Sequence, residues 1–247
     1  MTTICIVQAR MKSSRLPGKA LLPLKGNLTS IDLISMRLSK SRLIDKTCFA
    51  IPSCETSEPL LSHLRLINAK HYQGSRSDLV ERILGATSSY RDCTIVRITA
   101  DCPFVDPEIV DRAVQEYRDG KYEYVSNYTP ASTSRYCNGS DVEVFSRRLL
   151  ENLHSKFKSA KDREHVTFPL WDGRMVVSHK KMSPPGDADW SDVRITLDYH
   201  EDLLVIRQIL QLSRNVFVSM ADIVNLYRSH NLAQVNGAFH FSAGWQL

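Results

Sequence analysis

The sequence predicts an α/β protein built on a doubly wound, mainly parallel sheet sandwiched by helices, with an additional lobe in its second half. Three observations carry that reading. Short apolar or β-branched runs at 4–7, 47–51, 94–99 and 193–197 alternate with stretches of helical periodicity, an alternation that builds parallel sheets with right-handed crossovers. Polar signatures follow three of those runs directly, at 8–19, 101–103 and 198–203, which is the sheet edge where open α/β folds place ligands. Between 129 and 140 both periodicities vanish, marking where the sheet core gives way to the lobe.

Each element has its own justification. Ile4, Cys5, Ile6 and Val7 read as a fully buried first strand, and Thr29 or Ser30 caps a helix running to about 43 with Ile31, Ile34 and Leu38 on one face. The strand at 47–51 stops at Pro52. A helix begins near Pro59 with Leu60, Leu61, Leu64 and Ile67 on its buried side, and His71 to Ser75 precedes a helix over 78–91. The strongest strand signal, 94–99, delivers Ala100-Asp101-Cys102-Pro103. Pro107 opens a helix carrying Ile109, Val110, Ala113 and Val114 inward, Gly120 closes it, and a strand follows at 124–127. Val142 to Phe145 restores strand alternation, with helices near 147–154 and 162–171 and a strand at 175–179. After a turn or mobile loop at Ser183-Pro184-Pro185-Gly186-Asp187 comes the last strand, 193–197, with Asp198 as the N-cap candidate of a helix to about 213. A helix over 220–229 and an irregular tail finish the chain. The expected organisation is a single domain: a first part at about 1–128, the lobe and return to the sheet at about 129–215, and a C-terminal extension at about 216–247.

Composition narrows the class. With 43% hydrophobic and 24% charged residues the chain has the balance of a folded globular protein, and no apolar run approaches the roughly 20 residues a membrane span needs. The N-terminus lacks a basic stretch followed by a long apolar core, so the expected location is cytoplasmic, with no membrane partner. A net charge of +5, with cations dense before Asp32 and no aromatic-rich basic stripe, points to one anionic small ligand rather than to nucleic acid. The six cysteines show no CxxC pair and read as buried free thiols; Cys102, beside Asp101, is a poor nucleophile because the neighbouring carboxylate disfavours a thiolate.

The stretch Gln8-Ala9-Arg10-Met11-Lys12-Ser13-Ser14-Arg15-Leu16-Pro17-Gly18-Lys19 reads as a polyphosphate cradle. Arginine supplies forked donors for phosphate oxygens and lysine a compact charge, while Ser13, Ser14 and Gly18 let main-chain N–H groups approach an anion. With no acidic residue before Asp32, the positive field is expected to be locally unneutralised. The spacing is neither GxxxxGK[ST] nor GxGxxG. A solvated basic loop is the bland alternative. Asp101 and Asp198 each end a predicted strand, where two separated carboxylates can share one Mg2+; singly, they would be a turn residue and a helix cap.

The loop resembles the opening signature Q-A-R-M-G-S-T-R-L-P-G-K of the cytidylyltransferase-like family that includes SpsF-type spore coat polysaccharide proteins and, more distantly, CMP-sugar synthetases. Lys12 stands where Gly is usual and Ser14 where Thr is usual. Thr99-Ala100-Asp101-Cys102-Pro103 and Thr196-Leu197-Asp198-Tyr199-His200-Glu201-Asp202-Leu203 resemble the family's metal-carboxylate segments, and Gly74-Ser75-Arg76-Ser77-Asp78-Leu79-Val80-Glu81-Arg82 its nucleotide-bordering segment. Gly139-Ser140-Asp141-Val142-Glu143-Val144-Phe145 and Arg163-Glu164-His165-Val166-Thr167 resemble G-x-D-V-E-V-F and R-E-H-V-T, with Cys137 where a Pro is common. The likeness spans roughly 1–210.

The resemblance implies a GT-A-like fold with an acceptor-binding lobe, and transfer of CMP from CTP, or of another nucleotide from its NTP, to an acidic sugar, sugar phosphate or phosphonate in surface polysaccharide biosynthesis. It implies catalytic roles for Arg10, Arg15 and Lys19, and nucleotide contacts from Gln8, Ala9, Arg10, Ser13, Arg15, Lys19, Gly74, Ser75, Asp78, Arg82 and Asp101. Acceptor contacts would come from Asp141, Glu143, Arg163, Glu164 and His165, with Mg2+ on Asp101 and Asp198. A helix cap at Ser77 or Asp78, a solvated Arg82 and a structural His165 are the plain readings of those residues. A homodimer stays open. Two rivals remain, a GT-A-type glycosyltransferase, which would be expected to carry a mid-chain DxD, and a non-catalytic nucleotide-binding subunit.

Overall fold

Residues 1–239 are described by the computed structural model. The first apolar run becomes β1 (Thr2–Gln8), paired in parallel with β2 (Lys46–Pro52) on one side and β4 (Cys93–Thr99) on the other. β3 (His71–Gly74) extends the sheet in parallel beyond β2. The lobe returns β6 (Glu143–Ser146) antiparallel to both β4 and β5 (Tyr124–Ser126), and β7 (His179–Lys181) closes the far edge in parallel with β5. The strand order is therefore β3-β2-β1-β4-β6-β5-β7, with β6 alone running against the rest.

Side chains alternate across a strand, and here that alternation divides the interior in two. Cys5, Val7, Val96 and Ile98 pack with α1 (Ser30–Leu38), α2 (Glu58–Leu66), α4 (Pro107–Arg118), α8 (His200–Ser213) and α9 (Met220–Ser229). Ile4, Ile6 and Ile95 pack on the opposite face with α3 (Leu79–Ala86) and α5 (Arg147–Lys156). Burial on both faces explains why the central strands read as continuous apolar runs.

Several expected boundaries move. The first helix stops at Leu38 rather than near 43, because the amides of Arg42 and Leu43 are captured by the Asp111 carboxylate of α4. The helix expected over 78–91 ends at Ala86, where Thr87 bonds its hydroxyl back to Ile83 O. The one expected over 162–171 breaks at Val166, whose φ of 54° separates α6 (Ala160–His165) from α7 (Phe168–Trp171). The strand expected at 175–179 starts only at His179, where register with β5 begins.

The run 193–197 is extended and buried but joins no sheet: Ile195 N donates to Asn138 O at 2.8 Å and Asn138 N to Val193 O at 3.0 Å, so its partner is a loop. The expected irregular tail contains a short α10 (Ala233–Asn236), and 240–247 lie outside the described residues. Among the described residues no helix is long and apolar enough to cross a membrane.

Candidate active site

The cationic loop leaves β1 under restraint. Arg97 Nε donates to Gln8 Oε1 at 2.8 Å, and buried Ala9 donates its N–H to Ala50 O at 3.2 Å. The loop then closes on itself, with Leu16 N donating to Ser13 Oγ at 3.3 Å and Gly18 N to Met11 O at 3.0 Å. Gly18 sits at φ 70°, in the left-handed region that glycine enters without a Cβ penalty. This turn fixes the start of Lys19, whose side chain points back across the site.

Lys19 Nζ lies 2.9 Å from Asp101 Oδ2 and 2.6 Å from Asp198 Oδ1, and Arg15 Nη2 lies 2.9 Å from Asp198 Oδ2. The two acidic residues are brought together by backbone: Leu197 N donates to Asp101 O at 2.8 Å, and Thr196 Oγ1 to the same oxygen at 3.3 Å. Gly139 makes this packing possible, because a Cβ there would meet Thr196 N at 2.3 Å. The positive field of the loop is therefore neutralised, by carboxylates remote in sequence; the expectation of an unneutralised loop is corrected.

Burial opposes ionisation of Asp101, but the Lys19 ammonium and the Thr99 hydroxyl hold its carboxyl down at about 2. Burial likewise works against the charge of Lys19 and of Arg15, yet the facing aspartates raise both above their ordinary values. Asp198 is not the cap of α8: Tyr199 takes that position, and Asp202 Oδ2 accepts from the N–H groups of Asp198 at 3.0 Å and Tyr199 at 2.9 Å. With Asp202 satisfying the helix terminus, the Asp198 carboxylate is left to face cations.

The donor set suits a hard divalent ion. Two carboxylates converge on a single point, which the Lys19 ammonium holds, and Mg2+ is typically held by one or two carboxylates plus substrate phosphates. Among the described residues no group of three or more His, Cys, Asp or Glu side chains could hold a metal by itself, which leaves the remaining positions to water and phosphate. Beside Asp101, Asp141 Oδ1 is buried without a hydrogen-bond partner, and burial, then the charges of Asp101 and Glu143, push that carboxyl well above the usual range.

The other predicted residues divide sharply. Asp78 caps α3, accepting from Glu81 N at 2.8 Å. Arg82 is 6% exposed, not solvated, and folds back to donate from Nε to Ser75 O at 2.8 Å and from Nη2 to Arg76 O at 3.2 Å; burial, with Arg10 adding to it, lowers it to about 10. A Cβ on Gly74 would meet the Tyr72 ring at 2.6 Å, so the segment is tightly built.

From the lobe, Arg163 reaches that cap, with Nε 3.3 Å from Asp78 Oδ2, and Glu164 Oε1 meets Arg10 Nη1 at 3.2 Å, an exposed pair. His165 is half-buried, and burial lowers its pKa. Glu143 is 3% exposed and is encircled by Arg97, Tyr124, Thr129 and Thr167. Between the exposed and buried groups, Val166 forms a γ-turn at φ 54° and ψ −68°, with Thr167 N donating to His165 O at 2.6 Å, a strained geometry for a β-branched residue.

Sequence reasoning missed Arg97 and Asp202. A lone arginine inside the apolar run 93–99 was the available signal for the first. The second sat inside the segment around Asp198 without a role.

A family model described as cytidylyltransferase matches residues 4–223. A cytidylyltransferase structure from Leptospira borgpetersenii superposes with a TM-score of 0.87 at 27% identity, covering 97% of this chain and 99% of that one. The spore coat polysaccharide biosynthesis protein SpsF of Bacillus subtilis is 29% identical over 214 residues, 83% of this chain and 85% of that protein. A 3-deoxy-manno-octulosonate cytidylyltransferase of Mesorhizobium japonicum is 28% identical over 121 residues, about half of each chain at 48% and 49%.

Proposed function

The chain belongs to the cytidylyltransferase family and is a nucleotidyltransferase, and from that premise we propose that it transfers CMP from CTP to an acidic sugar, sugar phosphate or phosphonate, releasing pyrophosphate. The observation that carries the proposal is the convergence of Lys19 on Asp101 and Asp198, with Arg15 alongside. An acceptor oxygen attacks the α-phosphorus and the pyrophosphate oxygen leaves, a reaction that needs alignment and charge neutralisation more than covalent help.

In this reading Asp101 and Asp198 hold Mg2+, which when bound neutralises and orders the triphosphate. Lys19 and Arg15 then turn from the carboxylates to phosphate oxygens, and Arg10, exposed at the mouth, joins them on the departing pyrophosphate. Gln8, Ala9, Ser13, Gly74, Ser75, Asp78 and Arg82 shape the nucleotide side. Asp141, Glu164 and His165 border the acceptor side, while Glu143 and Arg163 hold that side in place from beneath.

Two relatives support the acceptor class: one is named for an octulosonate, a sugar acid, and the other for polysaccharide biosynthesis. The test is a screen of the four common NTPs with acidic sugars, sugar phosphates and phosphonates for Mg2+-dependent pyrophosphate release. Release with CTP and one acidic acceptor class is expected; release with no pairing, alongside turnover of a nucleotide-sugar, would replace this reading with glycosyl transfer.

A further inference from the structure

The family match ends at residue 223, yet the chain continues through the end of α9 into α10 and inserts a polar side chain against Asp202, which supports the Asp198 backbone. Asn236 is 0% exposed and Tyr227 is 2% exposed. Tyr227 donates its hydroxyl to Asn236 Oδ1 at 2.8 Å, which fixes which way the amide points. The Asn236 Nδ2 group then donates to Asp202 Oδ1 at 2.9 Å and to Arg194 O at 3.1 Å, so the amide's oxygen and both its hydrogens are engaged.

Asp202 is the hinge of this arrangement. Arg194 donates to both of its oxygens at 2.8 Å, and its Oδ2 receives the N–H groups of Asp198 and Tyr199. The chain of bonds runs from Tyr227 through Asn236 and Asp202 to the backbone of Asp198. A second contact follows the same route: Phe239 stacks on Tyr199 with centroids 4.0 Å apart and planes 10° apart, and the Arg15 guanidinium lies 5.4 Å from the Tyr199 ring centre.

We infer that the C-terminal segment positions the metal-binding carboxylate, with Asn236 and Tyr227 as positioning residues that hold Asp198 in place through Asp202. The inference rests on the reading that Asp198 holds a divalent ion. A buried, fully satisfied polar network is a stiff support, and groups that orient metal ligands typically change metal affinity when removed. Packing alone would be served by apolar residues at both positions; here two of the amide's bonds, to Tyr227 and to Arg194 O, fix its orientation, and the third is donated to the carboxylate that supports Asp198.

The test compares Asn236→Ala, Tyr227→Phe and Asp198→Asn in the full-length chain. Mn2+ binding in the presence of CTP is followed by electron paramagnetic resonance, beside the Mg2+ concentration for half-maximal turnover and the thermal midpoint. Asn236→Ala is expected to weaken Mn2+ binding roughly tenfold and to raise the Mg2+ midpoint by a similar factor. The KM for CTP at saturating Mg2+ should stay within about twofold. Tyr227→Phe, which keeps the ring packing and so remains informative if Asn236→Ala does not fold, moves the same way by less. Wild-type Mn2+ affinity in both variants, with a lowered thermal midpoint, reduces the network to packing and overturns the inference while Asp198→Asn still loses the metal. If Asp198→Asn also binds Mn2+ normally, the metal reading itself falls and this inference falls with it.

Discussion

Lys19 Nζ stands 2.6 Å from Asp198 Oδ1 across 179 residues of sequence, and the same ammonium stands 2.9 Å from Asp101 Oδ2. One cation thus separates two carboxylates that would otherwise repel each other, and the first loop of the chain is fastened to the segment that enters α8. The phosphate cradle and the acidic pair are a single electrostatic unit, in which Lys19 holds the Asp101 carboxyl below its ordinary value and the facing aspartates hold Lys19 above its own.

Removing that ammonium leaves two partly buried carboxylates facing each other. Lys19→Ala is expected to lower the stability of the metal-free protein by about 1–3 kcal/mol, the usual range for losing a charged hydrogen-bond partner. Added Mg2+ should recover part of that loss, because the ion replaces the cation between the carboxylates. Turnover should stay low even so, since no side chain replaces lysine on the phosphates. Thermal midpoints with and without a chelator check the first claim, and an unchanged midpoint without metal would contradict it.

Acid should reveal the same pair. The Asp101 carboxyl is held at about 2 against an ordinary value of 3.8, so its contribution to stability is fully present above the ordinary value and is lost as pH falls from about 4 through about 2. Lys19 has the opposite sign: its raised value contributes stability below the ordinary 10.5 that is lost as pH rises beyond it. Urea midpoints of the metal-free protein across the acid range should fall steeply in that window. Asp101→Asn should flatten the slope there; a slope identical to wild type would mean that other carboxylates set the acid limb.

Much of this was legible in the sequence. The order of strands and helices through residue 128 follows from apolar runs and capping residues, and the loop and Asp101 stand at the ends of β1 and β4 as the sequence predicts, whereas Asp198 ends a run that joins no sheet and is brought beside Asp101 by the Leu197–Asp101 backbone bond. What escaped reading depends on contacts between distant segments. The run 193–197 has the composition of a strand, yet its partner is the turn around Asn138, a choice no local pattern encodes. Asp198 precedes a helix as a cap should, but Asp202, four residues later, satisfies that terminus, and only three-dimensional packing decides between them. Glu143 and Arg82 looked like polar groups for ligands; the sheet and the β3–α3 turn bury them.

The contact between Arg10 and Glu164 joins loop and lobe on the open side, with the side chains 62% and 52% exposed. Such pairs contribute little to stability. Arg10→Ala should therefore leave the unfolding free energy within about 0.5 kcal/mol of wild type while raising the KM for CTP roughly tenfold, the loss of about one charged contact to phosphate. Lys12, exposed on the same loop, is expected to tolerate Lys12→Gly with turnover within about twofold. Unchanged kinetics in Arg10→Ala would place that guanidinium outside the phosphate site, and a severe loss in Lys12→Gly would place the ammonium inside it.

Glu143 should behave in the opposite way. Its carboxylate is buried between the Arg97 guanidinium and the hydroxyls of Tyr124, Thr129 and Thr167, with no open side for a ligand to reach. Through Thr167 it also holds the residue that follows the strained turn at Val166, three positions beyond the Glu164 that pairs with Arg10. Glu143→Gln keeps the shape but leaves the buried Arg97 charge uncompensated, an imbalance that typically costs about 3–5 kcal/mol. Thr167→Val removes one hydroxyl contact and should cost nearer 1 kcal/mol. Chemical denaturation of both variants, beside acceptor KM, separates the roles. A large stability loss in Glu143→Gln with a smaller one in Thr167→Val marks Glu143 as the anchor beneath the acceptor side. An undiminished unfolding free energy with a raised acceptor KM would instead make it a direct ligand.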